Sequence, residues 1–203
     1  MKTDNKSLLV VLISPSGGGK TTIAKQIVKT NKNIHYSISY TTRPKRVGES
    51  SGKDYFFVSE VEFEKLKKEG EFLESAFVHG HFYATSKSYI QNSLAKGIDI
   101  IMDIDVQGAI QLQQLDIKPL TIFIIPPSIK MLLARLKKRG QNSEEDLALR
   151  MRNLRIEISK AHLFDYLVLN NQLKDAICDV ENIVKVQKMK MKRNRGTVSK
   201  FLN

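Results

Sequence analysis

A single cysteine, Cys178, in 203 residues leaves no pair for an internal disulfide. The chain reads as one made for a reducing compartment. No apolar run approaches the length needed to cross a bilayer, and the polar start MKTDNKS lacks the apolar core and cleavage site of a secretory leader. A cytoplasmic protein with no membrane partner is the expectation. The four histidines do not gather with cysteine or carboxylates at metal-ligand spacing, so no bound transition metal is expected. Internal repeats and low-complexity linkers are absent. Acidic residues are missing from one end only: none follows Glu181, while Lys185, Lys188, Lys190, Lys192, Arg193, Arg195 and Lys200 do. Taking those seven charges from the net +12 leaves +5 for the rest, so residues 190–203 read as a solvated basic tail rather than a specific nucleic-acid site.

What is present is ordinary for a globular chain, 41% hydrophobic and 27% charged, and long enough for one sizeable core or a core carrying an insertion. Cys178 falls in the helical pattern Leu173, Ile177, Val180, Val184, which points to packing rather than reactivity. One stretch organises everything else. SPSGGGKTT, Ser14 to Thr22, lies between the apolar run LLVVLI and the amphipathic run TTIAKQIVK, which is the order strand, glycine loop, helix. Three glycines can turn several backbone N–H groups toward one point at a helix N-terminus, and that is a cradle for the phosphates of a nucleoside triphosphate. Ser14, Pro15, Ser16, Gly17, Gly18, Gly19, Lys20, Thr21 and Thr22 are therefore the candidate ATP contacts. Lys20 would reach the outer phosphates, and the Thr21 hydroxyl would sit on Mg²⁺. The usual pattern begins with glycine, where this chain has Ser14.

Strand and helix alternate along the chain. After a helix over about Thr21–Thr30, the segment from about Tyr36 to Ser88 is aromatic and turn-rich, with a hairpin turn at His79-Gly80. Within it Ser59 and Glu62 form a capping box for a short helix ending at Gly70. The alternation resumes with a helix SYIQNSLAK, the strand IDIIMDID, a helix from about Gln107 and the strand LTIFII. A helix between Ser128 and Gly140, a capping box at Ser143 and Asp146, the strand YLVLN and a helix from about Leu173 complete it. Near-continuous apolar strands separated by helices predict a parallel sheet covered on both faces.

Four further constellations carry chemistry. In SISYTTRPKRVGES, Arg43 and Arg46 share one turn-prone segment with Tyr55 shortly after; two adjacent guanidiniums repel unless an anion such as a phosphate monoester lies between them. The alternative is a solvated charged loop. Glu74 interrupts an apolar run opposite Tyr83 and Thr85, and a carboxylate there can accept from both N1–H and the 2-amino group of guanine, a pair adenine lacks. The alternative is an edge glutamate pointing to water. In MDIDVQG, Asp103 and Asp105 end a buried strand, where ligands of parallel sheets bind. One would hold Mg²⁺ and the other the nucleotide, or either would cap the next helix. Arg135 and Arg139 share a helix face, and Arg150 follows across the polar turn GQNSEED, which suggests a lid that swings arginines onto a transferring phosphoryl. The alternative is surface charge.

In this order, SPSGGGKTT, SYTTRPKRVGE, GKDYFFV, EFLES, HFYAT, MDIDVQG and RLKKRG with LRMR resemble the guanylate kinase family over nearly the whole chain. The resemblance implies an α/β fold of the P-loop kinase type: a parallel sheet core covered by helices on both faces, a small mixed-sheet insertion and a helical lid. Its parts would be a core over 1–36 and 89–203, with the lid at about 138–155, and a GMP-binding insertion over 37–88. It implies transfer of the γ-phosphoryl of ATP to GMP with Mg²⁺. Ser39, Arg43, Arg46, Tyr55 and Tyr83 would surround the GMP phosphate, and Glu74, Thr85 and Asp105 would read the guanine. Thr21 and Asp103 would serve Mg²⁺, while Lys20, Arg135, Arg139 and Arg150 would stabilise the transferring phosphoryl. Besides Ser14, two departures stand out: Ala84 replaces a family glycine, and the proline of TTRPKR comes one position early. A kinase for another nucleoside monophosphate, or a non-catalytic binding module of the same shape, are the competing readings.

Overall fold

The computed structural model describes residues 7–138 and 144–199. In chain order, β1 (Leu9–Ile13) leads through the glycine loop into α1 (Lys20–Thr30) and β2 (Ile34–Tyr36). Then come β3 (Tyr40–Thr41), β4 (Phe56–Phe57), α2 (Glu60–Lys68), β5 (Phe72–Val78), β6 (His81–Ser86) and α3 (Lys87–Ala95). The chain continues through β7 (Asp99–Ile104), α4 (Val106–Gln113), β8 (Leu120–Ile125), α5 (Ile129–Lys138) and α6 (Glu144–Ser159). It ends with β9 (Tyr166–Leu169), α7 (Leu173–Met189) and the short α8 (Arg195–Ser199).

Two sheets result. The larger is wholly parallel, in the order β2-β7-β1-β8-β9. Alternate residues of its strands point to opposite faces, and both faces are covered, which is why the strands read as unbroken apolar runs. Val10, Leu12, Ile101 and Ile122 pack with Ile23 and Ile27 of α1 and with Ala176, Val180 and Val184 of α7. Leu9, Val11, Ile13, Ile100 and Phe123 pack on the other face, with Ile90 of α3 and Ala109 and Leu112 of α4. Each such aliphatic side chain contributes about 2 kcal/mol on burial. The smaller sheet has the order β4-β3-β6-β5 and is mixed: β3 runs parallel to β4, while β6 is antiparallel to both β3 and β5. Its apolar support is the fully buried Phe63 of α2, whose ring lies 4.8 Å from Phe72 and 5.3 Å from Phe82 between centroids.

Local signals behave as their chemistry requires. The Ser59 hydroxyl accepts from Glu62 N at 3.2 Å and starts α2. His79 and Gly80 both have positive φ, 51° and 82°, the turn that suits a tight hairpin. The cap proposed at Ser143 and the stop at Gly140 lie outside the described residues. One expectation needs correction. Cys178 is exposed, because the buried stripe of α7 runs through Ala176, Val180 and Val184, and residue 178 falls off that stripe. Of the basic end, the described residues are helical and mostly exposed: after α7 a short turn at Met191–Arg193 leads into α8, and the Arg193 guanidinium donates to Ser7 O at 3.2 Å. Among the described residues no helix is long and apolar enough to cross a membrane.

Candidate active site

The glycine loop leaves the carboxyl end of β1, the central strand, and ends at Gly19, whose φ of 97° caps α1. Ser14 fits in place of the usual glycine because the loop offers room elsewhere. Its Cβ and Oγ occupy the space a side chain on Gly18 would need, and its hydroxyl donates to Pro15 O at 2.9 Å. Asn170, the residue after β9, braces the same loop: its Nδ2 donates to Gly18 O at 2.8 Å, and it crowds Gly19 so closely that a Cβ there would clash. Sequence reasoning read Asn170 only as a strand end. An amide at the carboxyl end of an apolar parallel strand was the signal available. Arg135 donates to Asn170 O at 3.1 Å, which sets its guanidinium beside Gly19. Arg139 lies outside the described residues, and of Arg150 the structure describes its place in α6.

Lys20 opens α1, and Thr21 donates its hydroxyl to Asp103 Oδ2 at 2.6 Å. The other oxygen of Asp103 accepts from the Tyr36 phenol, whose pKa is driven far above its usual value by burial and by that carboxylate's charge. Tyr36 therefore stays a donor. The hydroxyl and carboxylate of Thr21 and Asp103 form an all-oxygen set beside the loop, which fits Mg²⁺ held largely by phosphates and water.

Asp105 does not share this environment. β7 ends at Ile104, and Asp105 caps α4, its Oδ1 accepting from Gln107 N at 2.6 Å and Gly108 N at 3.0 Å. The capping alternative thus holds for Asp105, and the two aspartates take separate partners.

Glu74 is buried, with 6% exposure, rather than pointing to water. β5 is an edge strand of the smaller sheet, but α4 covers that edge: the Gln111 amide donates to Ser75 O at 2.8 Å and accepts from Ser75 N at 3.2 Å. Thr85, directly opposite Glu74 on β6, donates its hydroxyl to Glu74 Oε1 at 2.6 Å. The other oxygen rests against Gly108, where any Cβ would collide with it, so a glycine inside a helix is explained by a carboxylate from another element. Burial pushes the Glu74 carboxyl up to about 7; the charge of Asp105 adds to this and the Thr85 bond opposes it. Glu74, Thr85 and Asp105 are thus brought together.

The arginine loop differs from expectation in one respect. Arg43 is buried and grips Glu49 with Nη2, at 2.8 and 2.9 Å to its two oxygens, while Nη1 donates to Pro44 O at 2.7 Å. Arg46 N donates to the same carboxylate at 2.9 Å, and the Arg46 residue is exposed. The anion between the two arginines is Glu49, which sequence reasoning left unassigned although it ends RPKRVGE. Burial works against its charge, but the bonds from Arg43 and Arg46 hold its carboxyl below the usual range. The Arg43 guanidinium lies over the rings of Tyr55 and Phe57, at 5.4 and 5.7 Å, and Tyr55 meets Tyr83 edge-on at 6.0 Å. Tyr55 is kept protonated, by burial first and then by the charge of Asp103. Ser39 joins the group through its carbonyl, which accepts from Phe56 N at 2.9 Å. Ala84 needs no special backbone: it pairs with Ser75 and Tyr40 in ordinary strands, and His79 alone among the described non-glycine residues has positive φ.

A cavity of ≈ 210 Å³ separates the β5–β6 turn, the start of α4 and α6, with Val78, His79, Asp105, Gln107, Asn153 and Glu157 among its walls. A phosphate loop on the central strand of a parallel sheet, facing a second sheet with a buried arginine, two phenols and a buried carboxylate, defines a P-loop kinase of nucleoside monophosphates. The guanylate kinase family profile matches residues 6–187, and the chain belongs to that family. It is 42% identical to the guanylate kinase of Thermotoga maritima over 196 residues, 97% of this chain and 95% of that one. It is 44% identical to that of Carboxydothermus hydrogenoformans over 189 residues, 93% of each. The crystal structure of guanylate kinase from Anaplasma phagocytophilum superposes with a TM-score of 0.78 at 33% identity, covering 92% of this chain and 89% of that one.

Proposed function

We propose that this protein transfers the γ-phosphoryl of ATP to GMP, giving ADP and GDP. The observation that carries the reading is the buried Glu74, held by Thr85 beside Asp105, in a chain whose phosphate loop is intact. Ionised, Glu74 would accept from guanine N1–H and the 2-amino group; adenine has no donor at N1 and would leave the carboxylate unpaired. The glycine loop and Lys20 would hold the ATP phosphates, with Arg135 beside Gly19 answering the charge that develops on transfer. Arg139 and Arg150 would complete that role from a lid over about 138–155. Thr21 and Asp103 would hold Mg²⁺, which when bound neutralises phosphate charge. Arg46, the phenols of Tyr55 and Tyr83, and Ser39 would take the GMP phosphate, with Arg43 positioned by Glu49.

No covalent intermediate is needed: positioning and charge stabilisation suffice, provided water is excluded as the parts close. Residues 37–88 would move as the GMP-binding insertion against a core of 1–36 and 89–203. The test is ADP release by the purified protein with Mg-ATP and each nucleoside monophosphate in turn. Turnover with GMP and none with AMP, CMP or UMP is expected. Turnover with another monophosphate would reassign the substrate, and GMP binding without turnover would make the chain a binding module.

A further inference from the structure

Glu157 is a half-buried carboxylate on the wall of the site, with no role in the transfer described above. It lies on α6, where the 3.6-residue period sets Asn153, Leu154 and Glu157 on one face. Leu154 is buried against Leu132 of α5, which fixes the rotation of the helix. Asn153 and Glu157 accordingly line the cavity that Asp105 and Gln107 close from the other side. Glu157 also walls a smaller hollow with Pro15 and Ser16 of the phosphate loop. It therefore stands between the end that reads the base and the end that holds phosphate. Electrostatics place it the same way: burial pushes its carboxyl up to about 7, the Lys20 charge opposes that shift, and the Asp105 charge adds to it. Among the described residues its carboxylate takes part in no hydrogen bond or ion pair.

A nucleoside monophosphate with its base at Glu74 and Asp105, and its phosphate at Arg46, Tyr55 and Tyr83, where Tyr55 adjoins the Asp103–Thr21 pair, has its sugar in between. A carboxylate repels phosphate and accepts from hydroxyls, so the part of the ligand that suits Glu157 is the ribose. We propose that Glu157 accepts a hydrogen bond from a ribose hydroxyl of the acceptor nucleotide, making it a specificity residue for ribo- over deoxynucleotides. This rests on the GMP reading above. It also gives α6 a direct contact with the acceptor, so a filled acceptor site draws in the helix that carries Arg150.

The experiment compares GMP, 2′-deoxy-GMP and 3′-deoxy-GMP in the wild type, Glu157→Ala and Glu157→Gln. Both kcat/KM with Mg-ATP and binding by calorimetry are measured, and thermal melts check the fold. The wild type is expected to prefer GMP over one of the deoxy forms by about tenfold, the scale of a hydrogen bond to a charged acceptor. In Glu157→Ala the GMP value drops to that of the deoxy form, which itself changes less than about twofold. Glu157→Gln keeps part of the preference because its amide oxygen still accepts. Equal losses for all three nucleotides would mean that Glu157 only supports α6, and would overturn the proposal. So would unchanged values, or a wild type that does not distinguish them. Absence of GMP turnover would sink the kinase reading, while the calorimetric preference would still decide the role of Glu157.

Discussion

Glu74 can accept from guanine only when ionised, yet its surroundings hold its carboxyl at about 7 against 4.5 for an ordinary glutamate. Between those values the folded protein keeps a proton that the unfolded chain has lost. The contribution of Glu74 to stability therefore rises as pH falls from about 7 toward 4.5, and is lost as pH rises through 7. GMP binding has the opposite sign, weakening below pH 7 as the acceptor is protonated. Calorimetry at pH 8 and pH 6 should find GMP affinity lower at pH 6 by several-fold more in the wild type than in Glu74→Gln; the titration of the GMP phosphate is common to both and cancels. Equal pH dependence in the two proteins would remove Glu74 from the base site. Lys20→Ala should lower kcat roughly a hundred- to a thousand-fold with an unchanged melting temperature, since one donor to a developing phosphoryl charge is lost and nothing buried is opened. A near-normal turnover number would refute that role. At this scale the sequence was legible wherever a residue stood out against its neighbours. Glu74 is a carboxylate in an apolar run, and Lys20 ends a glycine loop. Glu49 and Glu157 sit among other charged residues, and nothing local distinguishes them from solvated ones.

The elements that frame the site came largely from local patterning, because helix and strand periods, caps and turns are properties of short segments. Their mutual braces did not. Asn170 follows β9 and reaches back 152 residues to the Gly18 carbonyl. Asn170→Ala leaves that oxygen without its partner, at about 1–3 kcal/mol, and loosens the phosphate loop, while the main-chain carbonyl that anchors Arg135 is kept. The Michaelis constant for ATP should rise about tenfold while that for GMP stays within twofold, as steady-state kinetics with each substrate varied would reveal. An equal rise in both would instead signal general damage to the fold. Gly108 belongs to the same class of feature: a glycine in the first turn of a helix has no local explanation until Glu74 is seen packed on it.

Across the whole molecule, the residue before β1 and the last turns of α7 meet at one carboxylate. Asp99, buried at the start of β7, accepts from Leu8 N at 2.8 Å and pairs with Lys188 near the end of α7. Asp99→Ala removes both partners' acceptor at once, and because Lys188 stays partly in water the loss should be about 2 kcal/mol rather than the full cost of a broken buried pair. Urea unfolding measures it, and specific activity of the folded fraction should be unchanged. A loss under about 0.5 kcal/mol would mean the junction is held by apolar packing alone. A second long-range link, Lys25 to Asp54 at 2.7 Å, ties α1 to the turn that precedes β4. The sequence by itself determined the phosphate loop, the order of strands and helices and the set of charged residues available, since each is written in a contiguous or periodic run. Only the tertiary structure decided how those charges divide. Asp103 goes to Thr21 and Tyr36, Asp105 to the cap of α4, Glu49 to Arg43 and Glu74 to Thr85. Many pairings among like-charged candidates satisfy the same sequence, and the choice between them rests on distances of a few ångströms between segments far apart in the chain.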